Sequence, residues 1–406
     1  MSSLKLNYNH TIYACFLGYI VQAVNNNFAP LLFLHFQSDF TLSINHIALI
    51  TTINFIIQLV VDFISPYFID RIGYRTSAIL AHIFAAAGLA GLAFLPFCFA
   101  NPFVGILLAV ALYAIGGGVL EVLISPIVEA CPGDQKEGAM SLSHSFYCWG
   151  FAGVVLFSSL FFWAFGLENW RILAILWSML PLLNIILFAK VPIGKLMDSN
   201  ESPAGLRKLL ANKQFRILAI VMVLSGASEQ ASCQWASVFA ESVLHMDKVV
   251  GDLAGPLLFA VSMGITRVFY GRHSEKLKLD KAIPLAAVLC IVSYLIISFA
   301  NNAFMGFFGL ALCGVAVAIF WPGTVSTAAK HIPTGGTALF AFLALAGDLG
   351  CAGGPALVGF VSEAFANNLQ IGLLAATICP ILLLIVFLNF KRTQHKCTAS
   401  PIGKAV

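Results

Sequence analysis

Charge is what this chain has least of. Only 10% of its 406 residues are Asp, Glu, Lys or Arg, against 60% hydrophobic, whereas soluble domains carry about 25% charged side chains. So few charges cannot solvate the surface of a chain this long, which argues against a soluble globular enzyme and against a disordered chain. A formal net charge of +4 is no basic patch, so nucleic acid is not expected as a partner. The 10 cysteines form no C-x-x-C pair and lie mostly inside apolar runs. They read as small apolar residues, implying no disulfide framework and no metal site. There is no H-E-x-x-H, no G-x-S-x-G and no Cys/His cluster, and GGGVLE lacks the lysine of a phosphate loop. No enzyme chemistry and no cofactor are expected.

What is present is hydrocarbon-compatible sequence. Residues 76–120 and 282–329 contain no Asp, Glu, Lys or Arg, and each run is long enough for two spans of about 20 residues. Shorter clean runs cover 138–167, 172–189 and 364–390. Backbone polar groups in hydrocarbon must pair internally, so these runs predict helices, and the alternation of a β-barrel is missing. Twelve spans fit, at about 11–34, 46–69, 76–98, 102–128, 139–164, 170–190, 214–240, 252–271, 281–300, 303–327, 335–362 and 367–390. The opening MSSLKLNYNH is followed by no small-residue cleavage site, so the first span reads as uncleaved. The expected fold class is an all-α integral membrane protein with twelve transmembrane helices in two six-helix halves.

The halves are residues 1–190 and 214–392, joined by a polar linker at 191–213 and followed by a tail at 393–406. With both termini cytoplasmic, the outer loops carry Arg171 and Lys248, and the rest of the 22 Lys and Arg residues lie on the inner side. This obeys the positive-inside rule. Such an organisation is that of many secondary transporters, whose substrate sites lie near the bilayer midplane between the halves. The expected setting is a bacterial inner membrane, with a monomer as the unit and the lipid bilayer as surroundings.

Polar residues within spans then stand out, because a charge at the bilayer centre costs about 2.5–3.5 kcal/mol even on insertion scales. Glu121 lies in GGGVLEVLISP with Ser125 one turn away on the same face. Hydrocarbon favours the protonated carboxyl, which suits either a group that carries a proton through a cycle or a permanently neutral structural acid. Glu229 opens the polar stretch that includes Gln230, Gln234 and Trp235; these residues line an aqueous cavity or act as helix–helix glue. Gln22 and Asn26 share a face of the first span, with Asn25 beside them and Pro30 beyond. The cluster suggests a locally broken helix and amides suited to a hydroxyl-rich ligand. His144 and Trp149 in the fifth span and Trp321 in the tenth are further cavity candidates. Asp348 sits in GDLGCAGGPALVG, a stretch suited to close helix packing. Asp62 lies one to two turns from Asp70, with Arg267 and Arg272 as possible partners in an inner charge network.

Between the second and third spans the chain reads PYFIDRIGYR. This resembles the major facilitator superfamily signature Gly-x-x-x-Asp-Arg-x-Gly-Arg-Arg, matched at Asp70, Arg71, Gly73 and Arg75. Pro66 stands in place of glycine and Tyr74 in place of an arginine. The resemblance implies a cytoplasmic gate in which the acid pairs with arginines. Three stretches are similar to the fucose permease-like group of proton-coupled sugar symporters: AVNNNFAP, GGGVLEVLISP and LSHSFYCWG. It implies that Glu121 is the protonated acid of the fourth span. Asn26 occupies the place of that group's aspartate, Ser125 and Tyr147 those of asparagines, and His144 that of a glutamine. The expected function is proton-coupled transport of a small polar solute, a sugar or polyol, with Glu121 and Glu229 as proton carriers. The alternative is a proton-coupled antiporter of amphipathic compounds, which the 35 phenylalanines keep open. A non-transporting sensor of the same fold is a third reading.

Overall fold

The structure is a computed structural model describing residues 6–42, 44–194, 206–246, 248–366 and 368–399. Regular structure among these residues is entirely helical. The first seven helices are α1 (Tyr8–Asn27), α2 (Phe33–Asp39), α3 (Ile44–Ile72), α4 (Tyr74–Phe94), α5 (Pro102–Ala130), α6 (Lys136–Phe165) and α7 (Trp170–Lys190). Ten follow: α8 (Leu206–Ala211), α9 (Lys213–Cys233), α10 (Ala236–Ser242), α11 (Lys248–His273), α12 (Leu279–Ser298), α13 (Ala303–Val317), α14 (Phe320–His331), α15 (Gly336–Ala364), α16 (Leu369–Ala376) and α17 (Ile378–Ala399).

Asparagine sets many of the starts. Asn7, Asn101, Asn212, Asn302 and Asn368 each turn a side-chain oxygen onto N–H groups of the first turn of α1, α5, α9, α13 and α16, satisfying donors that lack a helical partner. Two chain reversals need glycine. Gly73 between α3 and α4 has φ +84°, and Gly166 at the end of α6 has φ +83°, a region that side chains with a Cβ rarely enter.

Nine stretches among the described residues are long and apolar enough to cross a membrane. α1 and α9 are not in that set, since Gln22 and Asn25–Asn27 in one, and Glu229, Gln230 and the serines in the other, lower their apolarity. Several expected spans are two helices end to end. The first breaks after Asn27, where Ala29–Leu32 form a 3₁₀ turn around Pro30, as the asparagines and proline suggest. The seventh breaks at Gln234–Trp235, the tenth at Ala318–Ile319 and the twelfth at Thr377. The expected linker at 191–213 lies partly outside the described residues. The expected tail overlaps α17, which continues to Ala399.

The chain divides into two compact units, Met1–Pro203 with Thr334–Ala344, and Ala204–Pro333 with Leu345–Val406. In the first, α4 packs on α5 and α7, α3 on α5, and α1 on α5, α6 and α7. The second repeats the scheme: α12 packs on α13 and α17, α11 on α13, and α9 on α17. Small residues permit the close approaches, as lipid tails leave helix association to van der Waals packing. A Cβ added at Gly88 or Gly116 would collide with backbone of the facing helix in the α4–α5 pair, and one at Gly226, Gly350 or Gly354 would do so in the α9–α15 pair. The apolar core at one end of the first unit gathers Phe28, Leu32, Phe36, Leu92 and Trp170.

Candidate functional site

The antiparallel pair α1–α5 carries a column of polar contacts through the first unit. Tyr19 Oη lies 3.0 Å from Ser125 Oγ and 2.9 Å from His144 Nε2, and Ser125 Oγ is 3.3 Å from the same nitrogen. One turn along, Gln22 Nε2 donates to Glu121 Oε2 at 2.8 Å. A turn further, Asn25 Nδ2 donates to the carbonyl of Tyr113 at 3.3 Å. The spacing follows from helix geometry, since residues three or four apart share a face. Gly117 opens the column between α1 and α5. The nearest atom to a Cβ built there is Asn25 Nδ2 at 3.5 Å.

Asn26 extends the column sideways. Its Oδ1 accepts from Gln58 Nε2 at 2.7 Å, and Gln58 also donates to Asn54 Oδ1 at 3.1 Å. Asn26 Nδ2 lies 3.5 Å from Tyr147 Oη. Gln22, Asn25, Asn54, Gln58, Ser125 and His144 are all buried, while Glu121 and Asn26 are half-buried. The structure therefore brings Gln22, Glu121, Ser125 and His144 of the sequence candidates into one column with Asn25 and Asn26. Tyr19, Asn54, Gln58 and Tyr147 belong to it too, although the sequence reading did not select them as binding residues. Chemically, the column holds one carboxyl group on an amide and, beside it, hydroxyl, imidazole and amide groups that both donate and accept.

The second unit has a different centre. Arg267 Nη2 lies 3.4 Å from Glu229 Oε2, and Arg267 Nε donates 2.9 Å to the carbonyl of Ala318. The sequence assigns Arg267 to the inner gate. In the structure its side chain is buried and contacts Glu229, and its guanidinium also serves the Ala318 carbonyl, which Pro322 leaves free at the break between α13 and α14. Trp235 donates its indole N–H to the carbonyl of Pro355 at 3.1 Å. The Trp321 ring presses on Gly347, where an added Cβ would overlap it. Both tryptophans thus have packing partners inside the unit. Asp348 and Gln230 are half-buried, Gln234 is exposed at the α9–α10 break, and Trp149 is half-buried on α6.

The signature loop shows a further difference. Asp70 accepts from Thr337 Oγ1 at 2.6 Å, and Tyr74 Oη lies 2.8 Å from the same hydroxyl. Among the described residues no ion pair joins Asp70 to Arg71 or Arg75. Arg75 spends its guanidinium on the last carbonyls around α7, donating to Phe188 and Ala189 at 2.7 Å and to Val191 at 2.8 Å. Such a cation at a helix C-terminus is favoured by the peptide dipoles. Arg71 and Arg272 are exposed, and Asp62 is fully buried on α3.

Residues 14–355 match the family described as Major Facilitator Superfamily. The chain belongs to the major facilitator superfamily. Solved structures agree on the fold of this superfamily member. It is similar to a transporter of the superfamily, FucP, in the outward conformation: 18% identity, a TM-score of 0.78, and coverage of 94% of this chain and 98% of that one. The E. coli fucose:proton symporter FucP, as a point variant, gives 18% identity and a TM-score of 0.76 with the same coverage. The human organic anion transporter MFSD10 gives 16% identity and 0.73, covering 93% of this chain and 99% of that one. The proton:xylose symporter XylE, bound to 6-bromo-6-deoxy-D-glucose, gives 12% and 0.77, covering 94% and 95%. No curated protein sequence matches the chain. The superfamily member is thus a multi-pass membrane transporter by family and fold.

Proposed function

We propose that this superfamily member is a secondary active transporter that moves a small hydroxylated solute, a sugar or polyol, coupled to protons by alternating access. The observation that carries the reading is the contact of Glu121 with Gln22, within a column otherwise made of amides, hydroxyls and one imidazole. A carboxyl at this depth is the natural proton carrier. The surrounding amides and hydroxyls suit a ligand that presents alcohol groups. Two of the similar structures are, by their titles, a fucose:proton and a proton:xylose symporter, which supports the same class. Glu229, paired with Arg267, is the second candidate carrier in this reading. Substrate contacts are assigned to Gln22, Asn25, Asn26, Ser125 and His144, and the inner gate to the Asp70–Arg75 loop. The working unit is a monomer with both termini in the cytoplasm of a bacterial inner membrane.

The test is sugar-driven proton uptake in reconstituted vesicles, with hexoses, pentoses and polyols, beside Glu121→Gln. Uptake with one solute, lost in the variant, supports symport at Glu121. Silence across the panel, with export of amphipathic compounds driven by a pH gradient, refutes the sugar reading in favour of antiport.

A further inference from the structure

Gln22 reaches Glu121 directly, at 2.8 Å, and is 4% exposed. Its Nε2 is committed to Glu121 Oε2, while its Oε1 has no hydrogen-bond partner among the described residues. A buried amide oxygen without a partner costs free energy comparable to a lost hydrogen bond. The two ends of a carboxamide are nearly the same size and opposite in hydrogen-bonding sense. An ionised Glu121 needs a donor, which Nε2 supplies. A protonated Glu121 can offer its own O–H at Oε2, and of the two ends of the Gln22 amide it is Oε1 that can accept it.

We propose that Gln22 is an amide switch that converts the protonation of Glu121 into the polarity of the neighbouring site; the inference rests on Glu121 being the coupling acid. A proton from the aqueous side forms the O–H bond at Glu121 Oε2. The Gln22 carboxamide then turns by half a revolution about its last side-chain bond, so that Oε1 accepts that proton's hydrogen bond. The opposite end of the amide changes from acceptor to donor. A solute hydroxyl meeting it must donate in one protonation state of Glu121 and accept in the other, so where its remaining bonds fix its role, proton and solute affinities are linked and the linkage is reciprocal. Gln22 is a positioning residue here, acting through Glu121. Titratable side chains within the membrane-spanning parts of the elements packed against α5 include Tyr19 on α1, Asp62 on α3, His82 on α4, and His144 and Tyr147 on α6. Tyr19 and His144 meet at Ser125, and His82 is bonded to Asn184 of α7.

The experiment is an infrared pH titration of the full-length protein in lipid, with glutamine labelled by ¹³C at the carboxamide carbon. Gln22→Met identifies the Gln22 band and Glu121→Gln the Glu121 band. The expected result is a Gln22 carbonyl band that moves to lower frequency as the Glu121 carboxyl band appears, with the same midpoint, and that stays fixed in Glu121→Gln. A Gln22 band that does not move while Glu121 titrates overturns the switch and leaves coupling at Glu121 standing. Proton uptake on adding fucose, xylose or glucose gives the transport readout. Gln22→Met is expected to lower it at least about tenfold, whereas full coupling in Gln22→Met refutes the switch. Unchanged coupling in Glu121→Gln instead overturns the reading on which the switch depends.

Discussion

Replacing Glu229 by leucine should destabilise the second unit far more than an exposed charge deletion would. At the observed 3.4 Å the gross attraction between Glu229 and Arg267 is roughly 5 kcal/mol with an effective dielectric near 20. Desolvation offsets much of it, but Arg267 cannot give up its proton, and its side chain is only 4% exposed. Removing one member of a buried pair therefore costs about 3–5 kcal/mol. The lower end applies here, since Arg267 Nε keeps the Ala318 carbonyl. Arg267→Leu should cost less, because the carboxyl left behind can take up a proton. The double variant should recover part of the loss, giving a coupling energy of about 2 kcal/mol. Reversible unfolding in mixed micelles, followed by tryptophan fluorescence, measures all three. If the two single effects add to the double within about 0.5 kcal/mol, the pair contributes nothing and the argument fails.

Three further outcomes follow from packing and capping. Gly88→Ala should lower stability by about 1–3 kcal/mol, since the methyl collides with backbone of α5. Gly117→Ala should be close to neutral because its nearest neighbour is at 3.5 Å; equal melting temperatures for the two variants would contradict this. Arg75→Ala should speed amide exchange in the last turn of α7 and cost about 1.5–3 kcal/mol, as three carbonyls lose a charged donor; unchanged exchange would show that the contact is idle. Tyr19→Phe should cost about 1 kcal/mol and alter the imidazole signal of His144 in nuclear magnetic resonance, since the hydroxyl touches both Ser125 and His144. An unaltered His144 signal would refute that link.

The all-helical membrane architecture and the family were legible because they depend on long-range composition and one short signature. Uncharged runs of more than 40 residues have few alternatives in hydrocarbon, and Asp70, Arg71, Gly73 and Arg75 are spaced as the family requires. Part of the polar column was legible for a related reason. Glu121, Gln22 and the asparagines are conspicuous where the surrounding residues are apolar. Asn54 and Gln58 were not noticed, because single amides in a long span look like packing residues until a neighbouring helix supplies Asn26. No motif singles out Tyr19, and Tyr147 stands out only as the residue in place of an asparagine of the similar group. Arg267 lies close to a helix end in sequence. It donates to the carbonyl of Ala318, which Pro322, lacking an N–H, leaves free; the proline marks the break, but nothing in the sequence pairs it with Arg267. Arg75 likewise satisfies backbone groups of α7, so its partners have no side-chain signature.

The column between α1 and α5 also bears on how the chain is made. Gln22 and Glu121 are separated by 99 positions, and Asn26 and Gln58 by 32. At about 5–20 residues per second of synthesis, α1 exists for several seconds before the carboxyl and carbonyl groups that satisfy its amides. Gln58 of α3 reaches Asn26 early, but Gln22 and Asn25 wait for their α5 partners. Full satisfaction of these amides thus comes only after α5 is complete. The residues that place α1 in the polar column therefore also bear on the order in which the first unit assembles.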